Sequence, residues 1–124
     1  MKEIIAVIRM NKVSQTRKAL AEARFCRMTA ARVMGRGNML RDLGLIPKVE
    51  GEEREMLLES LLKGGRLIPK RLLWIAVQDE DVPAVVDTII SVNKEGHAGD
   101  GKIFVLPLTD VVRVRTGESG AEAI

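Results

Sequence analysis

The chain has 124 residues, 46% of them hydrophobic, with 20 basic and 17 acidic side chains and a net charge of +3. That length fits one domain, and its core must be aliphatic, because Trp74, Phe25 and Phe104 are the only aromatic residues. No apolar run approaches a membrane span, Met1-Lys2-Glu3 leads straight into an alternating pattern with no secretory leader, and the single Cys26 excludes an internal disulfide and suits a reduced, cytoplasmic setting.

Lys2 to Met10 is rich in Ile and Val and predicts a strand. Ser14 stands as the N-cap of a helix that carries Val13, Leu20 and Ala23 on one apolar face and ends near Arg24. Met28 to Val33 predicts a second strand, broken by Gly35-Arg36-Gly37. From Arg36 to Pro69 there is no strand pattern, and a connection that long in a compact domain is functional or disordered. Inside it, Glu52 to Leu62 has helix formers, acids in its first turn, and an apolar group of Met56, Leu57, Leu58, Leu61 and Leu62. Gly64-Gly65 would stop that helix. Two readings stay open: a helix packed on its own domain, or an arm whose leucines dock into a partner.

Leu72 to Val77 predicts a third strand. After the turn Gln78 to Asp81, Asp81 caps a second helix with Pro83 in its first turn and Val85, Val86, Ile89, Ile90 and Val92 along it. His97 follows in a loop, with no companion at metal-site spacing. Lys102 to Leu106 is the fourth strand, and Val111 to Arg115 a short fifth with Arg113 and Arg115 on one face. The tail, residues 117–124, is small, polar and expected to fray. The order predicts an α+β, ferredoxin-like βαββαβ sandwich with a short C-terminal strand. Two helices then cover one sheet face, and the bare face predicts oligomerisation.

The chemistry concentrates at Gly99-Asp100-Gly101-Lys102. Two glycines one residue apart let the backbone turn sharply and approach a ligand, and consecutive N–H groups can form an anion nest. Lys102 adds a point charge suited to phosphate. The bland alternative is a solvated Asp-Gly turn, and for Arg113 and Arg115 it is an edge strand blunted by charge. Nine basic residues and one acid, Glu22, lie between Arg9 and Arg41, a field that attracts phosphates of nucleotide or nucleic acid. Neither a nucleophile–base pair nor a carboxylate cluster points to an enzyme. The stacking aromatics of an RNA-binding ferredoxin-like sheet are missing, which weakens the nucleic-acid alternative.

Gly99 to Val105, followed by Arg113-Val114-Arg115-Thr116-Gly117-Glu118, resembles the C-terminal signature of the PII signal-transduction proteins. Met28-Thr29 ahead of Gly35-Arg36-Gly37 is similar to that family's second strand and the root of its T-loop, and Ile68-Pro69-Lys70 to the loop's far end. The resemblance treats residues 1–124 as one domain with a T-loop at about 36–69. It implies a trimer with ATP or ADP between subunits. Gly35, Gly37, Gly99, Asp100, Gly101, Lys102, Arg113 and Arg115 would surround the phosphates, and Thr29 would face the adenine. Lys70 matches the lysine that pairs with 2-oxoglutarate. Met39 stands where the family has a glutamine that helps hold Mg²⁺ and 2-oxoglutarate, and a thioether is a poor ligand for a hard cation, so that site is half supported. Glu95 replaces a usual Ser or Thr and reads as inconsequential.

The chain has no tyrosine, which excludes the tyrosine uridylylation of many bacterial relatives. The long, leucine-bearing arm looks closer to the nitrogenase-associated branch, whose members occur as pairs that inhibit nitrogenase, than to regulators of ammonium transport or glutamine synthetase. The resemblance therefore implies a non-enzymatic, cytoplasmic sensor. It would be a homotrimer or a hetero-oligomer with a paralogue, bind neither nucleic acid nor membrane, and reach nitrogenase through Met56, Leu57, Leu58, Leu61 and Leu62.

Overall fold

The computed structural model describes residues 1–37 and 67–124. The arm interior expected to carry Met39, Met56, Leu57, Leu58, Leu61 and Leu62 lies outside the described residues. The elements are β1 (Lys2–Arg9), α1 (Val13–Glu22), β2 (Thr29–Gly35), β3 (Ile68–Val77), α2 (Val82–Asn93) and β4 (Lys102–Pro107). The strands form one antiparallel sheet in the order β2-β3-β1-β4, with both helices on one side. This is the expected ferredoxin-like arrangement.

The alternation of β1 sets the core. Ile4, Ala6 and Ile8 are buried while Ile5 and Val7 are half-buried, because successive side chains leave a strand on opposite faces. Leu73, Ile75 and Val77 of β3 join them, and Leu20 of α1 with Val85 and Ile89 of α2 close over the top. One buried polar contact ties the helices together. Asn93 Nδ2 donates to Thr16 Oγ1 at 3.0 Å and to the Ile89 carbonyl at 2.9 Å, and Thr16 Oγ1 donates to the Lys12 carbonyl at 2.7 Å. A buried polar pair tolerates little displacement, since a lost partner leaves a desolvated group behind. The end of α2 is thereby fixed, and with it the start of the loop to β4.

Among the described residues, no helix covers the other face of the sheet. Register places Thr29, Trp74, Ile5 and Phe104 in one row across all four strands. Trp74 is 49% exposed and Phe104 47%.

Several boundaries differ from the sequence expectation. Ser14 is not the N-cap: α1 begins at Val13, Lys12 holds the cap position, and no side chain caps the helix. Asp81 does hold the cap position of α2 but makes no capping side-chain bond. Strand β2 runs through Gly35 instead of stopping at Val33. Strand β3 begins at Ile68, four residues before the expected Leu72, because Pro69 lies beyond the last β1 pairing, Arg9 with Lys70, and needs no second ladder bond.

The expected fifth strand is absent. Val112 bridges Ser119, and the chain between them reverses tightly: the Gly117 N–H meets the Arg113 carbonyl at 2.7 Å and the Arg113 N–H the Glu118 carbonyl at 2.8 Å. Gly117 takes φ +73°, which ends the extended pattern. Arg113 and Arg115 are therefore turn residues and not neighbours on a strand face. The tail expected to fray is folded back. Gly120 to Ala123 forms a short helical turn, Ala123 is buried, and the Arg27 guanidinium donates to the Ile124 carbonyl.

Candidate functional site

The C-terminal end of β1 meets the loop that joins α2 to β4. Arg9 Nη1 donates to Asp100 Oδ1 at 2.7 Å and to Glu95 Oε2 at 3.2 Å, and its Nη2 donates to the Ala98 carbonyl at 3.2 Å. Lys12 Nζ pairs with Glu95 Oε1 at 3.1 Å. Asp100 Oδ2 accepts from the N–H groups of Glu95 and Gly96 at 2.9 Å each and His97 at 3.2 Å. Burial pushes the Asp100 carboxyl up, but these N–H groups and the Arg9 guanidinium outweigh it and hold the pKa at about 2, below the ordinary 3.8.

This geometry gives Asp100 a structural role beside the expected one. Both carboxylate oxygens of Asp100 bind within the loop and to Arg9, so the residue also shapes the cup. Gly101 has φ +126°, and a Cβ there would stand 2.4 Å from the Val7 carbonyl oxygen. Only glycine lets the turn lie against β1. Lys102 opens β4 opposite Val7 and is exposed. Lys70 Nζ donates to the Gly99 carbonyl at 3.1 Å, so the start of β3 touches the cup.

The structure gathers one group of the expected residues and separates another. Gly35 pairs with Ile68, and Lys70 pairs with both Val33 and Arg9. Gly35, Gly37, Lys70 and Gly99 to Lys102 thus cluster at one end of the sheet. Thr29 opens β2 opposite Trp74, in the row of Ile5 and Phe104 midway along β1 and β4. The Arg113 turn follows Pro107, which pairs with Lys2 at the other end of the sheet; there Arg113 Nη1 pairs with Glu118 at 3.1 Å and Nη2 donates to the Glu122 carbonyl at 2.8 Å. Arg115 is exposed. The cup precedes β4 and the Arg113 turn follows it, so the two leave the strand at opposite ends.

Sequence reasoning missed Arg9, Lys12 and Glu95. Glu95 was visible as a departure from Ser or Thr, but its partner Arg9 lies 86 residues away, beyond any local spacing rule. Among the described residues, no helix is long and apolar enough to cross a membrane.

The chain belongs to the nitrogen regulatory proteins: the model described as Nitrogen regulatory protein P-II matches residues 1–118, which span the sheet and the glycine-lined cup. Within the family it matches the nitrogenase-associated branch. It is 47% identical over 124 residues to "Nitrogen fixation nifHD region GlnB-like protein 2" of Methanobacterium ivanovii, covering 100% of this chain and 99% of the relative. The protein of the same description from Methanococcus maripaludis is 46% identical with 100% of both chains covered. Among solved structures, Arabidopsis thaliana PII bound to citrate superposes with a TM-score of 0.73 at 31% identity, covering 99% of this chain and 91% of that one.

Proposed function

We propose that this chain is a nucleotide-responsive regulator that acts on nitrogenase through its arm. The observation that carries the reading is the division of its phosphate-suited residues between two ends of the sheet. Gly99, Gly101 and Lys102 offer close backbone approach and a cation at one end; Arg113 and Arg115 offer guanidinium groups at the other. A second copy can bring them together, and the half-exposed row of Ile5, Trp74 and Phe104 is the apolar surface such an assembly needs. A trimer with three equivalent clefts satisfies both requirements. In each cleft, Gly35, Gly37 and the cup approach the phosphates, Lys102 and the neighbour's arginines neutralise them, and Thr29 meets the base.

In this reading Lys70 senses a small dicarboxylate such as 2-oxoglutarate. Its ammonium already lies beside the cup, bonded to the Gly99 carbonyl. The chain acts by binding and carries no catalytic residue in this reading. The names of the relatives support a nitrogenase-linked target, and the leucines of the arm supply its contact surface.

Calorimetric titration with ATP and ADP at moderate salt tests the sensor. Saturable binding near one nucleotide per subunit is expected. Lys102→Ala should weaken it about tenfold or more, since a charge-assisted hydrogen bond contributes roughly 1.5–3 kcal/mol. Absence of saturable binding, or an unchanged affinity in the variant, overturns the assignment of the cup.

A further inference from the structure

We infer that Arg9, acting through Glu95 and Asp100, is the positioning residue of the cup: it orders the loop between α2 and β4 before ligand arrives. The affinity part of this inference rests on the nucleotide reading above; the ordering part does not.

The loop has little intrinsic order. Gly96, Gly99 and Gly101 all take positive φ, at +81°, +91° and +126°. Glycines in such conformations lose more freedom on ordering than any other residue, so an unbraced loop would oppose binding. The structure instead ties the loop at several points to strands that the core holds rigid. Asp100 gathers the N–H groups of residues 95, 96 and 97 into one turn. Arg9, at the end of central strand β1, then grips that turn by Asp100, Glu95 and the Ala98 carbonyl together. A planar guanidinium can serve three acceptors on two sides; an ammonium is a point charge and cannot span them all.

Glu95 extends the brace. A Ser or Thr at that position is too short to reach both partners, whereas the glutamate bridges Arg9 and Lys12 and so ties the loop to the turn before α1. The Arg9 side chain is only 24% exposed, and its hydrogen bonds run to the loop. It affects a bound nucleotide by preorganising the cup, which lowers the ordering cost of binding.

The test compares wild type with Arg9→Met, Arg9→Lys and Glu95→Gln in the full chain. Amide hydrogen exchange of residues 95 to 102 is measured without nucleotide, and ADP affinity is measured by calorimetry. In Arg9→Met, exchange at Gly96 and His97 should quicken about tenfold and ADP should bind about fivefold or more weakly, since the lost contacts are charge-assisted. Arg9→Lys should recover part of both effects, and Glu95→Gln should move both in the same direction by less. Weaker ADP binding with wild-type loop exchange overturns the inference, because Arg9 would then meet the nucleotide directly. Faster exchange with unchanged affinity overturns it as well. If wild type binds no ADP, the nucleotide reading fails by itself, and unchanged exchange in Arg9→Met still refutes the brace. Should Arg9→Met not fold, Arg9→Lys and Glu95→Gln decide by the same two readouts.

Discussion

Lys70 and Gly99 lie 29 residues apart, and the Lys70 ammonium donates to the Gly99 carbonyl at 3.1 Å. The first strand after the arm is thus bonded to the cup. An effector that draws Lys70 away changes the cup, and by linkage a ligand in the cup changes the effector's affinity equally. Lys70→Met is expected to keep ATP binding within a few-fold of wild type while abolishing the change in ATP affinity on adding 2-oxoglutarate. Calorimetry with and without the oxo acid checks this. A wild-type response in the variant removes Lys70 from the coupling.

Gly101 and Gly35 should behave differently on substitution. Alanine at Gly101 puts a Cβ 2.4 Å from the Val7 carbonyl oxygen at φ +126°, whereas a Cβ at Gly35 meets nothing within 4 Å. Gly101→Ala should cost about 1–3 kcal/mol in urea unfolding. Gly35→Ala should unfold like wild type, so a drop in its nucleotide affinity would report crowding of the ligand alone.

Asp100 makes the acid limb of stability predictable. Its pKa in the folded chain, about 2, lies below the ordinary 3.8. The ionised carboxylate therefore favours the fold: its contribution is complete above about pH 4 and is lost as pH falls toward 2. Urea midpoints between pH 5 and 2 should fall more steeply in wild type than in Asp100→Asn, which is less stable at neutral pH and has no charge to lose.

Trp74 is the single tryptophan and half-exposed on the sheet face away from the helices. If that face is the assembly surface, Trp74→Asp should convert trimers to monomers in light scattering, and dilution of wild type should shift its emission to the red. A wild-type chain that scatters as a stable monomer at micromolar concentration sinks this prediction.

Serine at Leu57, Leu58 and Leu61 tests the arm. The expected outcome is an unchanged melting temperature, retained ATP binding and lost control of nitrogenase activity in a reconstituted assay. Burying a leucine contributes roughly 1.5–3 kcal/mol, so a melting temperature many degrees lower would assign these residues to the core.

The core was legible in the sequence because β1 alternates with period two, and Ile4, Ala6 and Ile8 are buried as that period requires. The glycine cup was legible from its spacing and from the strand that follows. The direction of the Asp100 carboxylate was not, since its partner Arg9 stands 91 residues earlier and only sheet register brings the two together. The fifth strand was misread because Val111 to Arg115 has strand composition, while the competing hairpin depends on Gly117 and on Ser119 further on. Local propensity yields to such pairings. Start sites such as Ile68 were missed because Pro69 disfavours a strand only where both edges must pair.

The separation of Lys102 from Arg113 has a consequence for a cell that makes two such chains. A cleft built across a boundary can take its cup from one gene product and its arginines from another. Two inactive alleles, one lacking the cup lysine and one lacking the turn arginines, would then rescue each other in mixed rings, leaving about a quarter of the clefts whole at equal expression. The dose of each chain, and not its sequence alone, would set how steeply the assembly answers adenylate charge.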